Sequence, residues 1–135
     1  MNWIQIALIA LGGALGAVAR FGVGSWIVQR FPGSNFPWAT FIINASGSFV
    51  LGLILTLVSE RFLTNQNIRP LIATGFIGAY TTFSTFEYES LQLGSSFRAL
   101  LNLLGSVVAG YFCVWLGSYL AQQIVAIAHS VRTAR

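Results

Sequence analysis

What this chain lacks constrains it most: from Trp3 to Ile127 it runs as four long apolar stretches, with charge confined almost entirely to the short breaks between them. Only 7% of its residues are charged and 56% are hydrophobic, whereas a soluble domain carries about 25% charged residues. Seven cations and three carboxylates cannot hydrate the surface of 135 residues, so most of that surface must face lipid. A membrane helix needs about 20 apolar residues, so the length holds four spans and little besides. The sequence therefore predicts an all-α membrane protein forming a single transmembrane domain over 1–135, with spans at about 3–28, 37–58, 70–87 and 99–127.

The same scarcity excludes several functions. All seven cations are Arg, scattered at positions 20, 30, 61, 69, 98, 132 and 135, so no basic patch exists for nucleic acid. The N-terminus MNWIQIALIALGG lacks the basic region of a secretory signal, and the first segment is expected to be retained as a span. Cys113 is alone in an apolar run and reads as a packing residue. One histidine, His129, and no aspartate leave the usual hydrolytic and metal-ligand constellations unassembled, and no enzyme is expected.

Within the first span, Gly12 with Gly16, like Gly13 with Ala17, has the spacing that lets membrane helices approach closely. FPGSN leads to the second span, where Pro37 suits the first helical turn, and Glu60 with Arg61 closes it. The third span is the least typical, because GFIGAYTTFSTF brings two glycines and the hydroxyls of Thr81, Thr82, Ser84 and Thr85 to mid-bilayer depth. A broken helix is expected there, and a break inside a membrane survives only where protein or a wet cavity satisfies its backbone. After GSSFR, the fourth span exceeds the length needed to cross, and tilt or a projecting end would absorb the excess.

Orientation follows from the arginines. With four spans, Arg61, Arg69, Arg132 and Arg135 face one side, and Arg30 and Arg98 the other. Arg20 lies nearer the first-loop end, and counting it leaves almost no bias under the positive-inside rule. Such a chain can insert both ways, which opens the possibility of an antiparallel homodimer with its axis in the membrane plane.

Several residues carry possible chemistry. Phe83 and Phe86 are three apart and share a helical face; alone, such a pair is ordinarily lipid-facing or core. Beside four hydroxyl residues, their electropositive ring edges suggest a route for a small anion. Asn44, midway along the second span with Thr40, Ser46 and Ser48 near it, is either interhelical glue or an amide donor to that anion. Asn102, Ser106 and Gly110 form a stripe on the fourth span that either packs helices or makes a polar track. Arg20, charged within a span, is expected to draw anions into a vestibule or to snorkel towards the interface. Glu87 and Glu89 close the third span, where solvation suffices to explain them; the alternative is a pairing or gating role.

Three stretches together, GGALGAVARF, TFIINASGSFVLG and TGFIGAYTTFSTF, resemble the Fluc, or CrcB, fluoride channel family, and the match in order and spacing covers nearly the whole chain. The resemblance implies an antiparallel dual-topology homodimer in the cell (inner) membrane, with two fluoride pathways and a structural sodium ion at the dimer interface. It implies that backbone carbonyls of Gly78 and Thr81 hold the sodium, and that Phe83 and Phe86 border each pathway. Asn44 becomes a fluoride donor, and Ser106 and Asn102 the polar track, beside the Thr82 and Thr85 hydroxyls already noted. Arg20 matches the family's first-helix arginine and Glu89 the acid following its TTFSTF motif. Three positions depart from the family pattern: Ala39 stands where Gly is common, Asn102 where many relatives have Tyr, and Glu87 where a small residue is usual. The implied activity is passive fluoride efflux giving resistance to fluoride. The principal alternative is a small four-helix proton-coupled multidrug exporter, which needs a membrane-embedded carboxylate; a non-transporting assembly subunit is a third reading.

Overall fold

The computed structural model describes residues 2–94 and 96–133, apart from the side chains of Ser96, Arg132 and Thr133. Arg135, counted in the charge balance above, lies outside the described residues, as does the Arg132 side chain.

Among the described residues every regular element is helical. α1 spans Trp3–Arg30 and α2 spans Trp38–Ser59; a π-wound segment, Arg69–Ile77, runs into the single turn α3, Gly78–Tyr80; α4 is Ser84–Gln92 and α5 is Ser96–Thr133. Three helices are long and apolar enough to cross a membrane: Trp3–Arg30, Trp38–Ser59 and, within α5, Phe97–Val131. The stretch expected to form a third span is helical but divided. Its residues form the π-helix with α3, then α4, separated by non-helical backbone at Thr81–Phe83.

The element ends follow local chemistry. Asn2 Oδ1 accepts from the Ile4 N–H at 3.1 Å and starts α1. α1 stops where Pro32 and Gly33, the latter at φ 74°, turn the chain. Pro37 sits just before α2 rather than within its first turn, because its ψ of 64° is not yet helical. α2 closes in a Schellman motif: Arg61 N–H donates to Val58 O at 3.2 Å and Phe62 N–H to Leu57 O at 3.0 Å. Arg61 adopts the left-handed φ of 55° that this motif ordinarily gives to glycine.

The third segment also extends past Glu87 to Gln92, ending at Gly94 with φ 65°. Glu87 and Glu89 therefore lie inside α4 rather than at its close. α5 is longer than expected at both ends; its 38 residues would measure about 57 Å against about 30 Å of hydrocarbon.

Two helix pairs make the frame. α1 lies on the π-helix, where a side chain at Gly12 would collide with the Leu71 carbonyl and one at Gly16 with the Phe76 carbonyl. α2 and α5 meet reciprocally: Gly52 faces the Val114 carbonyl and Gly117 the Phe49 carbonyl. The Gly12 and Gly16 face is thus the contact its spacing predicts; Ser48 with Gly52 and Gly117 with Ala121 have the same spacing, a signal that sequence reasoning missed. Leu57, Ala121 and Val125, with Leu53 and Leu63, fill the end of the α2–α5 pair. At the opposite end, Asn35 and Phe36 share a cavity with Leu93, Arg98 and Leu101, so the first loop lies beside the α4–α5 turn. Most other large apolar side chains, among them Phe21, Leu91, Val108 and Tyr111, point outward.

Candidate functional site

The break exposes main-chain groups that a helix would have satisfied, and three side chains take them up. Thr81 turns to an extended conformation (φ −80°, ψ 160°) and ends α3. Its N–H and its Oγ1 both donate to the Ile77 carbonyl, each at 2.9 Å. At Thr82 the amide of Asn44 acts as a neighbouring strand would: Asn44 Oδ1 accepts the Thr82 N–H at 2.8 Å, and Asn44 Nδ2 donates to the Thr82 carbonyl at 2.9 Å. Arg20 Nη1 donates to the Thr81 carbonyl at 3.4 Å. The half-buried guanidinium thus faces a carbonyl, a partner that leaves its positive charge uncancelled.

Gly47, one turn beyond Asn44, gives the break room. A Cβ there would run into the Thr81 methyl and the Tyr80 ring. Tyr80 is further placed by a 3.0 Å hydrogen bond between its hydroxyl and Ser46 Oγ, and by stacking on Phe76 at 5.9 Å.

Two grooves meet at the break. The first, about 260 Å³, lies between the break and α4 on one wall and α2 and α5 on the other; Asn44, Thr82, Phe83, Phe86, Ser106 and Gly110 are among its lining. The second, about 700 Å³, is bordered by α1 and α2, with Arg20, Gly24, Thr40, Thr82 and Thr85 on its walls. Thr82 belongs to both, which makes it the junction. Among the described residues Arg20 is the only charged side chain lining either groove, and it gives the second a positive bias. The rings of Phe83 and Phe86 lie 5.9 Å apart at 47°. Phe86 is buried, and Phe83 is 69% exposed to the groove and beyond.

An account of the hydrogens shows what the grooves can offer. Thr81 Oγ1 spends its hydrogen on Ile77, and Thr82 Oγ1 spends its own on Thr85 Oγ1 at 2.9 Å while accepting from the Thr85 N–H at 3.4 Å. Asn44 retains one N–H and Thr85 its hydroxyl hydrogen, which with the ring edges make the donor set for an anion. Ser106 donates to Asn102 Oδ1 at 3.3 Å and so turns an oxygen towards the first groove.

The structure thus brings Asn44, Thr82, Phe83, Phe86 and Ser106 together at one groove and Arg20, Thr82 and Thr85 at the other. It sets two expected residues elsewhere. Asn102 is 1% exposed and stands behind the groove wall. Glu89 lies against the first loop, near Ser34, Phe36 and Pro37, with Oε2 buried and without a hydrogen-bond partner among the described residues. Neither groove is lined by Glu87, Glu89 or Glu60. Sequence reasoning missed Gly47 and Ser90. Ser90 is 3% exposed and hydrogen-bonded to both Phe86 and Asn102. Its place four residues after Phe86, on the same helical face, was the available signal.

Comparison with known proteins adds an independent line. Residues 7–118 match the family model described as CrcB-like protein, Camphor Resistance (CrcB). The chain is 50% identical over 121 residues to a protein of Acidobacterium capsulatum named fluoride-specific ion channel FluC, covering 87% of this chain and 96% of that one. Proteins of the same name from Hydrogenovibrio crunogenus and Chloroflexus aurantiacus are 42% and 47% identical, covering 89% and 84% of this chain and 92% and 91% of theirs.

Proposed function

This chain belongs to the CrcB family, and from that premise we propose that it is a fluoride-selective channel giving passive efflux of fluoride across the cell membrane. The observation that carries the reading is the break itself, where an amide, threonine hydroxyls and two ring edges line one groove and a lone arginine biases the other.

Fluoride is small and holds its water tightly, so a pore must replace that water with close donors. Arg20 raises the local concentration of anions at the second groove. The ion then meets Thr85 and Thr82 at the junction, and passes the spare N–H of Asn44 and the edges of Phe83 and Phe86 in the first. Chloride is larger and gains less from donors set this closely, so size and donor geometry share the selectivity. A proton-coupled exporter needs a carboxylate on its path, and the acids here stand off both grooves. With an ion path and no coupling group on it, flow is passive. A negative interior drives the anion outward by about 2.3 kcal/mol per 100 mV.

The active form in this reading is an antiparallel homodimer with two pathways, consistent with the weak arginine bias and the apolar exterior. A structural sodium ion at its interface fits the chemistry at the end of α3. The Thr82 N–H, which in a continuing helix would reach the Gly78 carbonyl, goes to Asn44 instead and frees that oxygen. The Gly78 carbonyl is a neutral oxygen donor suited to a hard cation, the Thr81 carbonyl would share its second lone pair while accepting from Arg20 at 3.4 Å, and a second copy would supply the rest. Bound there, the ion would add positive potential beside the pathways and tie the two copies together.

The test is flux from liposomes loaded with fluoride and followed with a fluoride electrode. Release well above that of empty vesicles, with chloride retained, is the expected result. No release, or equal release of chloride, would overturn the reading.

A further inference from the structure

Asn102 is among the most enclosed side chains of the molecule, at 1% exposure. We propose that Asn102 is a positioning residue: with Ser90 it pins α4 to α5 and so holds the ring wall and the hydroxyl wall of the first groove in register. This rests on the channel reading above.

The pin is a continuous relay. Asn102 Nδ2 donates to Ser90 Oγ at 2.8 Å, and Ser90 Oγ passes its own hydrogen to the Phe86 carbonyl at 2.7 Å. On the other side Asn102 Oδ1 accepts from Ser106 Oγ at 3.3 Å. One side chain therefore ties the main chain at Phe86, on one wall, to the hydroxyl of Ser106, on the other. The Asn102–Ser90 and Ser90–Phe86 bonds are buried, where an unmade bond costs most, while the Ser106 end is half-buried at the groove.

α4 has reason to need such a pin. It is nine residues long, follows a break and ends at a left-handed glycine, so its own hydrogen bonds place it poorly. At its start the Asn44 clamp on Thr82 fixes it. Ser90, two turns further on, is the second fixed point, and Phe83 and Phe86 lie between the two. Releasing the second point leaves α4 attached at one end only, and the ring pair then drifts from Ser106.

The relay also sets the polarity of Ser106. Its hydrogen rests on Asn102, so an anion beside Ser106 is bound only after that hydrogen swings into the groove. The 3.3 Å bond is long, which keeps the swing cheap. Asn102 thereby tunes the affinity of the site as well as its shape.

The experiment compares wild type, Asn102→Leu, Ser90→Ala and the exchanged pair Ser90→Asn with Asn102→Ser in liposomes, measuring initial fluoride flux over a series of fluoride concentrations. The single variants should lose about tenfold in flux per active channel, the size expected from one broken buried hydrogen bond, with a changed half-saturating concentration. The exchanged pair, which can rebuild the bond in the opposite sense, should recover most of the flux. A purely structural role would lower only the number of active vesicles and leave half-saturation unchanged, and that result overturns the proposal. Should Asn102→Leu fail to fold, Ser90→Ala, which removes a single hydroxyl, decides: wild-type flux and half-saturation in it overturn the proposal. Conducting wild type with unaffected variants would remove the positioning role alone, whereas silent wild type would overturn the channel reading and this one with it.

Discussion

The two halves of the divided third segment are held by opposite means. The π-helix is fixed by bare backbone: Gly12 and Gly16 of α1 press on the Leu71 and Phe76 carbonyls, and Gly75 answers against Ile9 and Gly12. The break and α4 are fixed by side chains at separated points, Asn44 on Thr82 and Asn102 on Ser90. Contact between backbones fills space along its whole length and leaves no opening. Pinning at two points leaves the stretch between them unfilled, and that stretch is the first groove. The π winding belongs to the same design, since Gly78 N–H reaches back five residues to the Ala73 carbonyl and the widened turn brings the segment to the point where the chain breaks.

The largest effect should come from breaking the bare contact. Gly16→Val forces a Cβ bearing two methyl groups into the space of the Phe76 carbonyl, and neither backbone can retreat because Gly12 is seated one turn away. A loss of at least about 3 kcal/mol, at the upper end for overpacking, is expected. It is read as loss of folded protein in detergent and a fall in Tm, with flux lost in proportion to the protein lost. If Gly16→Val instead folds normally and fails only in flux, the π-helix would itself be part of the path, and the contrast would fail.

The pinned half should behave differently. Asn44→Leu keeps the volume but removes both partners of Thr82, leaving an N–H and a carbonyl unpaired at about 1–3 kcal/mol each. The frame of α1, α2 and α5 does not depend on that clamp, so the variant should fold and assemble with a lowered Tm while fluoride flux falls about 100-fold or more. Size-exclusion profile and liposome flux measured on one preparation separate the two outcomes. Flux within about threefold of wild type would show that the amide is dispensable to the break.

How much of this was legible beforehand divides along the same line. The Gly12–Gly16 face and the broken third span follow from spacing and from polar residues at membrane depth, because a four-residue period or a hydroxyl cluster is a local pattern; the gathering of Asn44 with Phe83 and Phe86 was legible only through the family resemblance. Gly52 and Gly117 were less legible, since α2 also holds Gly47 and α5 also holds Gly105 and Gly110, and which glycine becomes a backbone contact is decided only when α2 and α5 meet. Asn102 shares a helical face with Ser106, a stripe whose spacing alone fits either helix packing or a polar track. What no single helix can state is that α4, continuing past Glu87 to Gln92, brings Ser90 over that face and covers Asn102. Glu89 was displaced by the same extension, which carries it towards the first loop.

The smallest effect tests the other edge of the comparison. Gly22 lies on α1 beyond the seated pair, and a Cβ there would meet nothing within 4 Å. If only the chain's own contacts matter, Gly22→Ala should leave flux unchanged and stabilise the protein by about 0.5–1 kcal/mol, because alanine restricts the unfolded backbone and favours helix. Gly16 and Gly22 are six residues apart and so face different directions around α1. The face holding Gly22 also carries Val18 and Trp26, 70% and 64% exposed, with no covering in a single chain. A second copy that covered this face by backbone contact, as the π-helix covers Gly16, would turn the small gain into a loss. Thermal unfolding of Gly22→Ala in detergent, with crosslinking to count subunits, reads the difference: a higher Tm with an unchanged dimer leaves close backbone contact confined to the two pairs within the chain, and a lower Tm with loss of dimer places a third such contact between copies.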